Sequence, residues 1–156
     1  MRGTKLFILL LFIVIIIAGV IRFGKFERIV PVEMGRLRIG ENVVAVEMAK
    51  TPEEWSQGLS GRESLLEEEG MLFVSDESVR RTFWMKGMRF PLDMLFINQG
   101  KVVDIAHKVP APGEGEDGTE TRASTWLPAT WVLEVNSGWA ERHGVKLGDP
   151  VVLEGE

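Results

Sequence analysis

The chain contains no cysteine among its 156 residues, and it has only two histidines. The absence of cysteine excludes disulfide bonds, zinc ribbons, thiol nucleophiles, c-type haem attachment and a lipidated cysteine. Neither His107 nor His143 has a partner at the spacing that a zinc site needs. The segment GLSGR at 58–62 lacks the final glycine of a G-x-S-x-G nucleophile elbow. No metal, cofactor or serine nucleophile is therefore predicted.

The positive charge is concentrated at the N-terminus. Residues 1–30 carry five Lys/Arg and one Glu, so residues 31–156 carry 13 basic and 22 acidic side chains, a net charge of −9. An acidic domain has too few cations to neutralise a phosphate backbone. Nucleic acid is therefore not expected as a partner. The acidic residues of the loop at 110–124 lack the spacing of an EF-hand, which indicates a solvated loop and not a calcium site.

The longest apolar run covers residues 6–21, which are 16 consecutive uncharged residues between Lys5 and Arg22. As a helix it is about 24 Å long, and it reaches the roughly 30 Å of a bilayer core if the flanking cations extend to the headgroups. A cleaved signal peptide is the alternative. The only small pair, Ala18-Gly19, leaves Ile17 at the −3 position, so an uncleaved signal anchor is predicted.

Two arguments about the orientation of the anchor oppose each other. Five Lys/Arg between positions 22 and 38 follow the run and two precede it, and the positive-inside rule would place the domain in the cytoplasm. A long C-terminal domain after a short basic N-terminus favours export. We predict an extracytoplasmic domain, with an anchor and flank at 1–28, a tether and first strand at 29–42, and one β-rich domain at 43–156.

The residues after the apolar run are predicted to form short strands and two short helices. Residues 36–39 and 43–49 flank the turn Gly40-Glu41-Asn42. Thr51, Pro52 and Glu54 form the start signal of a helix that Gly58 ends. Residues 70–74, 79–85, 92–97, 101–109, 131–135 and 151–153 read as strands, and 137–143 as a second short helix. This pattern predicts a compact, mainly β domain, a barrel or sandwich, and not alternating βαβ units.

Two features of the middle region bear on packing. Residues 92–97 are nearly all apolar, which predicts a strand covered on both faces. Residues 79–85 alternate, with Arg80, Thr82 and Trp84 on one face. Residues 110–124 are rich in proline, glycine and charge, which predicts a mobile loop.

The order and content of six segments resemble domain-of-unknown-function family 192 of bacteria and archaea. The segments are GLSGRESL (58–65), GMLFV (70–74), FWMK (83–86), FPLDMLFI (90–97), WVLEV (131–135) and GD (148–149). The resemblance spans about 110 residues, from Val44 to Leu153. It implies a small β-rich fold, often behind a signal or anchor, and no reaction. The family pattern usually has Met at Ser60 and Asn-Thr at Gly87-Met88.

Four charged residues in these segments are candidates for a ligand site: Arg62, Lys86, Asp93 and Glu134. The two carboxylates interrupt apolar strands, where an unpaired charge is costly. We predict that at least three of the four side chains converge. Such a cluster is either a buried ion-pair group that fixes strand register or a polar pocket for an anionic or hydroxylated ligand.

Five tryptophans are many for this length. Most are expected in the core, because a small barrel fills itself with large side chains. Trp84 and Trp126 are the candidates for ligand contact, and Trp126 stands out because it lies near the long loop and beside Pro128.

Three functions are compatible with these features. The first is a membrane-anchored extracytoplasmic domain that binds an envelope polymer, a small ligand or an envelope protein. The second is an envelope hydrolase or lyase that uses Asp93 or Glu134 in acid–base chemistry, with Arg62 or Lys86 stabilising charge. The third is a structural, chaperone-like module. A concave polar cluster would favour the first two, and a filled ion-pair core the third.

Overall fold

The structure is a computed structural model, and it describes residues 32–154. Two helices, α1 (Pro52–Gln57) and α2 (Trp139–Arg142), accompany the strands. The strands are β1 (Glu33–Ile39), β2 (Asn42–Ala49), β3 (Glu69–Val79), β4 (Thr82–Trp84), β5 (Leu92–Asn98), β6 (Lys101–Val109), β7 (Arg122–Ser124), β8 (Ala129–Asn136) and β9 (Val151–Glu154). The predicted mainly β fold with two short helices is confirmed.

Seven strands form one curled sheet in the order β6–β5–β8–β3–β2–β1–β9, and β4 and β7 form a separate pair. The two edge strands of the large sheet approach each other where β6 begins. Lys101 bridges to Pro150, the Val102 N–H donates to the Asp149 carbonyl at 3.0 Å, and the Val151 N–H donates to the Gly100 carbonyl at 2.8 Å. The sheet is therefore a curled half-barrel whose edges are joined over a short stretch.

One neighbouring pair in the sheet is parallel. β2 and β3 run in the same direction, with Val46 opposite Gly70 and Ala49 opposite Phe73, and α1 lies in the connection between them. Parallel neighbours need a crossover of this kind, because a tight hairpin can join only antiparallel strands. The fold thus contains one parallel crossover, although its other strand pairs are antiparallel.

The curled sheet is buried on both faces, each with its own apolar cluster. Leu95, Leu133 and Trp139 belong to the first core, and Met94, Phe73 and Val132 belong to the second. The strand β5 is buried at six successive positions before Asn98. This confirms the prediction that residues 92–97 are covered on both sides.

The predicted strand at 79–85 is wrong in its bounds. β3 continues to Val79, and a break at Arg80 and Arg81 precedes β4. The Arg81 guanidinium lies at this break and donates to the Ser75 hydroxyl and the Glu77 carbonyl, both at 2.7 Å. These hydrogen bonds connect the break to the second half of β3.

The predicted loop at 110–124 contains the strand β7 at its end and is attached to the segment before β5. The Gly87 N–H donates to the Asp117 carbonyl and the Met85 N–H to the Thr121 carbonyl, both at 2.9 Å. Gly118 is buried against this segment, and a β-carbon there would stand 2.2 Å from the Met85 carbonyl oxygen. Residues 117–121 are thus fixed by backbone contacts, in contrast to the exposed residues 113–116.

The predicted anchor at 6–21 and the tether before Val32 lie outside the described residues. Between Val32 and Glu154, no helix has the length and apolar character needed to cross a bilayer.

Candidate functional site

The strands β4 and β7 form a short two-stranded ribbon with one buried and one exposed face. Thr82 lies opposite Ser124, and Trp84 lies opposite Arg122. Because directly opposite residues share a face, these four side chains point outward together. All four are exposed, whereas the intervening Ala123 is buried.

The buried face of the ribbon packs on an aromatic group of the second core. The Phe83 ring lies edge-on to Phe73 at a centroid distance of 4.9 Å and is tilted on Trp55 at 5.7 Å. Trp55 is itself fixed, because its indole N–H donates to the Ala49 carbonyl at 3.0 Å. These contacts hold the ribbon rigidly against the large sheet.

The exposed face carries two tryptophans, each with a cation near its ring. Trp84 is 46% exposed and Trp126 is 81% exposed. The Lys86 ammonium lies 5.5 Å from the ring centroid of Trp84, and the Arg80 guanidinium lies 6.0 Å from that of Trp126. Both distances are in the range of a cation–π contact. The two sequence-predicted aromatic candidates therefore lie at the surface.

An open cleft of about 1220 Å³ separates the ribbon from the start of α1. Its three walls are the entry to α1, the second half of β3, and the segment from Arg80 through β4. The lining residues are Lys50, Thr51, Pro52, Trp55, Ser56, Val74, Ser75, Asp76, Glu77, Arg80, Arg81, Thr82, Phe83 and Trp84. We refer to this space as the α1–β4 cleft.

A capping box fixes the α1 wall of the cleft. The Thr51 hydroxyl accepts from the Glu54 N–H at 3.2 Å, and the Glu54 carboxylate accepts from the N–H groups of Lys50 and Thr51 at 2.7 and 2.9 Å. These backbone donors lower the pKa of Glu54 below its usual value. The sequence-predicted helix start is thus confirmed, and the wall is preorganised.

The charges in the cleft differ in how far they are already neutralised. Lys50 pairs with Glu33 at 2.7 Å. Arg81 is held by β3 and lies 5.1 Å above the Trp55 ring. Arg80 has no salt bridge with any residue between 32 and 154. Arg80 is therefore the cation of the cleft that is most available to a ligand.

Arg62 lies outside the cleft in a bidentate ion pair with Glu47. The hydrogen bonds from Arg62 hold the pKa of Glu47 below its usual value, against the opposing effect of burial. Glu47 was not among the sequence candidates, although it stands in an apolar strand like Asp93 and Glu134. The same argument from an isolated charge could have found it.

Asp93 is fully buried and is satisfied by backbone amides. Its carboxylate accepts from the N–H groups of Lys108 at 2.8 Å, Gly138 at 2.9 Å and Ala140 at 3.0 Å. Lys108 has a positive φ of 52° at a β-bulge of β6 opposite Asp93. The Asp93 side chain therefore joins the bulge to the start of α2.

Glu134 lies on the opposite face of the sheet from Asp93. Asp93 is in register with Val135, and Glu134 is in register with Met94 on one side and Met71 on the other. Glu134 is 4% exposed, and burial raises its pKa to about 8. Between Val32 and Glu154 its carboxyl has no ion pair, so burial favours the protonated form.

The predicted convergence of the four charged candidates is wrong. Arg62 is paired with Glu47, Lys86 lies over Trp84, and Asp93 and Glu134 face opposite sides of the sheet. The physical reason is that backbone amides and protonation can stabilise a buried carboxyl as well as a cation can. The ligand-binding roles of Arg62, Asp93 and Glu134 remain predictions, and none of the three lines the α1–β4 cleft.

The two histidines lie near other side chains of the domain. The His143 ring stacks on Trp139 at 4.2 Å, and its Nδ1 lies 2.9 Å from the Trp139 carbonyl. His107 is exposed, with Nδ1 4.0 Å from Asp93. Among the described residues 32–154, no group of three His, Asp or Glu side chains is placed to hold a metal ion.

Sequence reasoning missed Arg80, Arg81 and the acidic residues of β3 as cleft residues. The sequence signal that could have identified them is the pair Arg80-Arg81 inside a predicted strand. Two consecutive arginines are unusual in a strand that packs on a core. Only the tertiary structure shows that α1 faces the break between β3 and β4.

Comparison with known proteins places the chain in one family. The profile of domain-of-unknown-function family 192, described as "Uncharacterized ACR", matches residues 35–153. No curated protein matches the chain.

Two solved structures share the fold at 31% sequence identity. One is a protein of Sinorhizobium meliloti 1021 described as a candidate transcription regulator, with a TM-score of 0.71 over 80% of this chain and 96% of that chain. The other is a protein of unknown function from Novosphingobium aromaticivorans DSM 12444, with a TM-score of 0.70 over 81% of this chain and 89% of that chain. The first of these chains therefore consists almost entirely of the shared domain.

Proposed function

The chain belongs to domain-of-unknown-function family 192, and from this starting point we propose that it is a membrane-anchored extracytoplasmic domain that binds a ligand in the α1–β4 cleft. The observation that supports this proposal most is the position of Trp84. This half-exposed tryptophan lines a preorganised cleft beside Arg80, a cation that makes no salt bridge with residues 32–154. An exposed aromatic ring next to a concave polar surface is a common feature of binding sites.

The lining chemistry favours a hydroxylated ligand with flat apolar faces. Trp55, Phe83 and Trp84 provide rings, and Thr51, Ser56 and Thr82 provide hydroxyl groups. Three cations and two carboxylates line the cleft, so it is close to charge-balanced. A saccharide segment of an envelope polymer matches this combination, because its ring faces stack on aromatic side chains and its hydroxyl groups pair with polar ones.

The anchor is part of the proposal and rests on the sequence. The apolar run at 6–21 has basic flanks and no suitable cleavage site. An extracytoplasmic domain would place the cleft where envelope polymers are found. The membrane is then the partner of residues 6–21, and the saccharide is the partner of the cleft.

Two other functions receive less support. An acid–base enzyme would need Asp93 or Glu134 at a substrate cleft, but these side chains are buried on opposite faces of the sheet. The S. meliloti relative is described as a candidate regulator. A nucleic-acid role for this chain is disfavoured, because residues 31–156 carry 22 acidic and 13 basic side chains.

Ligand binding is tested with residues 32–156 and a panel of soluble envelope oligosaccharides. A ligand that binds the folded state at 100 times its Kd raises the stability by about 2.7 kcal/mol, which a thermal shift detects. Trp84→Ala is expected to weaken binding of the selected saccharide by tenfold or more. Leu147→Ala is the control, because Leu147 is 63% exposed and does not line the cleft.

Either of two results would reject the cleft proposal. One is a panel in which no saccharide raises the melting temperature. The other is equal affinity loss in Trp84→Ala and Leu147→Ala. The anchor is tested separately in cells, where the intact N-terminus should be found by mass spectrometry in a salt-resistant membrane fraction. Protease added to intact cells should cleave the domain, and full protection would place it in the cytoplasm.

A further inference from the structure

We propose that the exposed face of the β4–β7 ribbon docks on an anionic lipid surface. This inference rests on the proposed anchor for its geometry, and the face shares Arg80, Thr82 and Trp84 with the lining of the α1–β4 cleft. It starts from the exposed tryptophans and the cations that surround them.

The register of the ribbon places six side chains on one outward face. Trp84 pairs with Arg122 and Thr82 pairs with Ser124. The Thr125 N–H donates to the Arg81 carbonyl at 3.1 Å, and the same register brings Arg80 opposite Trp126. The two tryptophans therefore occupy diagonal ends of the face, about 14 Å apart along the strands.

The charge of this face is opposite to that of the domain. Arg80 and Arg122 belong to it, and Lys86 extends over Trp84. Thr82 and Ser124, the remaining members, are uncharged. Residues 31–156 carry a net charge of −9. The nearest carboxylates to these cations are Asp117, which interacts with Lys86, and Asp76 and Glu77, which line the cleft with Arg80. An anionic surface therefore attracts this face more than it attracts the rest of the domain. Such an arrangement orients the domain as well as binding it.

The tryptophans of this face are the apolar groups suited to a membrane interface. Trp126 is 81% exposed and Trp84 is 46% exposed. Tryptophan is enriched at the headgroup level of membranes, because its ring is apolar and its N–H is polar. Cations beside such rings pair with lipid phosphates.

The length of the preceding chain allows this docking. Ten residues, 22–31, separate the predicted anchor from Val32. Fully extended, ten residues span at most about 36 Å, which is close to the diameter of a domain of this size. A domain on so short a tether stays near the bilayer, where even a weak surface contact is populated.

The absence of cysteine makes a site-specific test direct. Ser124→Cys carries an environment-sensitive fluorophore on the ribbon face, and Glu41→Cys carries it in the turn before β2. The full chain is reconstituted in phosphatidylcholine vesicles with or without 30 mol% phosphatidylglycerol. We expect a blue shift and quenching by bromolipid at position 124 only, larger with phosphatidylglycerol.

A second variant tests whether the ribbon residues cause the shift. The combined changes Arg80→Ser and Trp126→Ser in the Ser124→Cys chain should abolish the blue shift. Emission at position 124 that equals emission in aqueous buffer, or a shift that survives in this variant, would overturn the proposal. A larger shift with a soluble saccharide or a single-stranded oligonucleotide than with vesicles would also overturn it.

Vesicle flotation separates this inference from the anchor. Flotation that resists 1 M salt without a blue shift supports the anchor and rejects the docking. Flotation only at low salt with a blue shift supports the docking and rejects the anchor, since salt screens contacts at a surface. Absence of both rejects both. Saccharide binding to residues 32–156 reports on the cleft alone.

Discussion

Gly87 lies directly against Ser60, and a β-carbon at position 87 would stand 2.2 Å from the Ser60 hydroxyl oxygen. The Gly61 N–H also donates to the Gly87 carbonyl at 2.9 Å. These are two of the three positions at which the chain departs from the family pattern. Because the two departures are in contact, we interpret them as one joint change that brings two loops together over the second core.

Gly87→Ala is expected to destabilise the domain by two additive causes. Its φ of 68° is left-handed, which costs a residue with a β-carbon about 1–2 kcal/mol. Overpacking against Ser60 adds about 1–3 kcal/mol. Gly61→Ala is the matched control, because its φ is 81° and no atom lies within 4 Å of its added carbon. Urea unfolding measures both variants.

The double variant Ser60→Ala/Gly87→Ala should regain the stability lost by overpacking against the Ser60 hydroxyl. It should still show the stability loss caused by the left-handed backbone at position 87. Equal destabilisation by Gly87→Ala and Gly61→Ala would show that the contact with Ser60 has no energetic role.

Asp93→Asn is expected to lower the free energy of unfolding strongly. The carboxylate accepts three backbone N–H bonds in a fully buried position. An amide cannot accept on its nitrogen, and each buried donor left without an acceptor costs about 1–3 kcal/mol. Asp104→Asn is the control, because Asp104 makes only a local bond to the Ile105 N–H.

Chemical denaturation at pH 7 compares the two aspartate variants. A change of less than about 0.5 kcal/mol in Asp93→Asn would contradict a structural role. Unchanged stability combined with loss of ligand binding would return Asp93 to the list of ligand residues.

We predict that Glu134 contributes less to the stability of the folded domain as the pH rises. Its pKa in the folded state, about 8, is above its ordinary value of 4.5. Between these values the folded chain binds more protons than the unfolded chain, so the contribution of Glu134 to stability falls as the pH rises from about 4.5 to 8. The slope of this contribution is at most about 1.4 kcal/mol per pH unit.

Glu134→Gln should remove that slope, because glutamine does not titrate. Relative to the unaltered domain, this variant should become more stable as the pH rises from 5 to 8. Glu41→Gln, in an exposed turn, should leave the difference constant with pH. A constant difference for Glu134→Gln as well would mean that Glu134 is charged in the folded domain.

Hydrogen exchange should distinguish the attached part of the segment at 110–124 from its exposed tip. The attached part is reported by the amides that donate to it. The amides of Met85 and Gly87 donate to Thr121 and Asp117, so they should exchange slowly. Glu114 and Gly115, at the exposed tip of the loop, should exchange fast. Fast exchange at Gly87 would indicate that the loop is not attached in solution, as the sequence predicted for the whole segment.

Local sequence rules determined the parts of the fold that depend on neighbours along the chain. The capping box at Thr51 and Glu54, the hairpin turns at 40–42 and 98–100, and the doubly covered strand β5 all follow from adjacent residues and their period. Trp84 and Trp126 were likewise predicted as candidates for ligand contact, and both side chains are exposed. The family followed from the order of short motifs.

Only the tertiary structure decided how the buried charges are stabilised and where the cleft lies. An aspartate in an apolar strand can be satisfied by a cation, by amides or by protonation, and the sequence does not distinguish these because the partners come from distant segments. Asp93 takes amides from β6 and from the start of α2, Glu47 takes Arg62, and burial raises the pKa of Glu134 to about 8. The α1–β4 cleft lies where the chain breaks at Arg80 and Arg81 between β3 and β4, and β4 pairs with β7 apart from the large sheet.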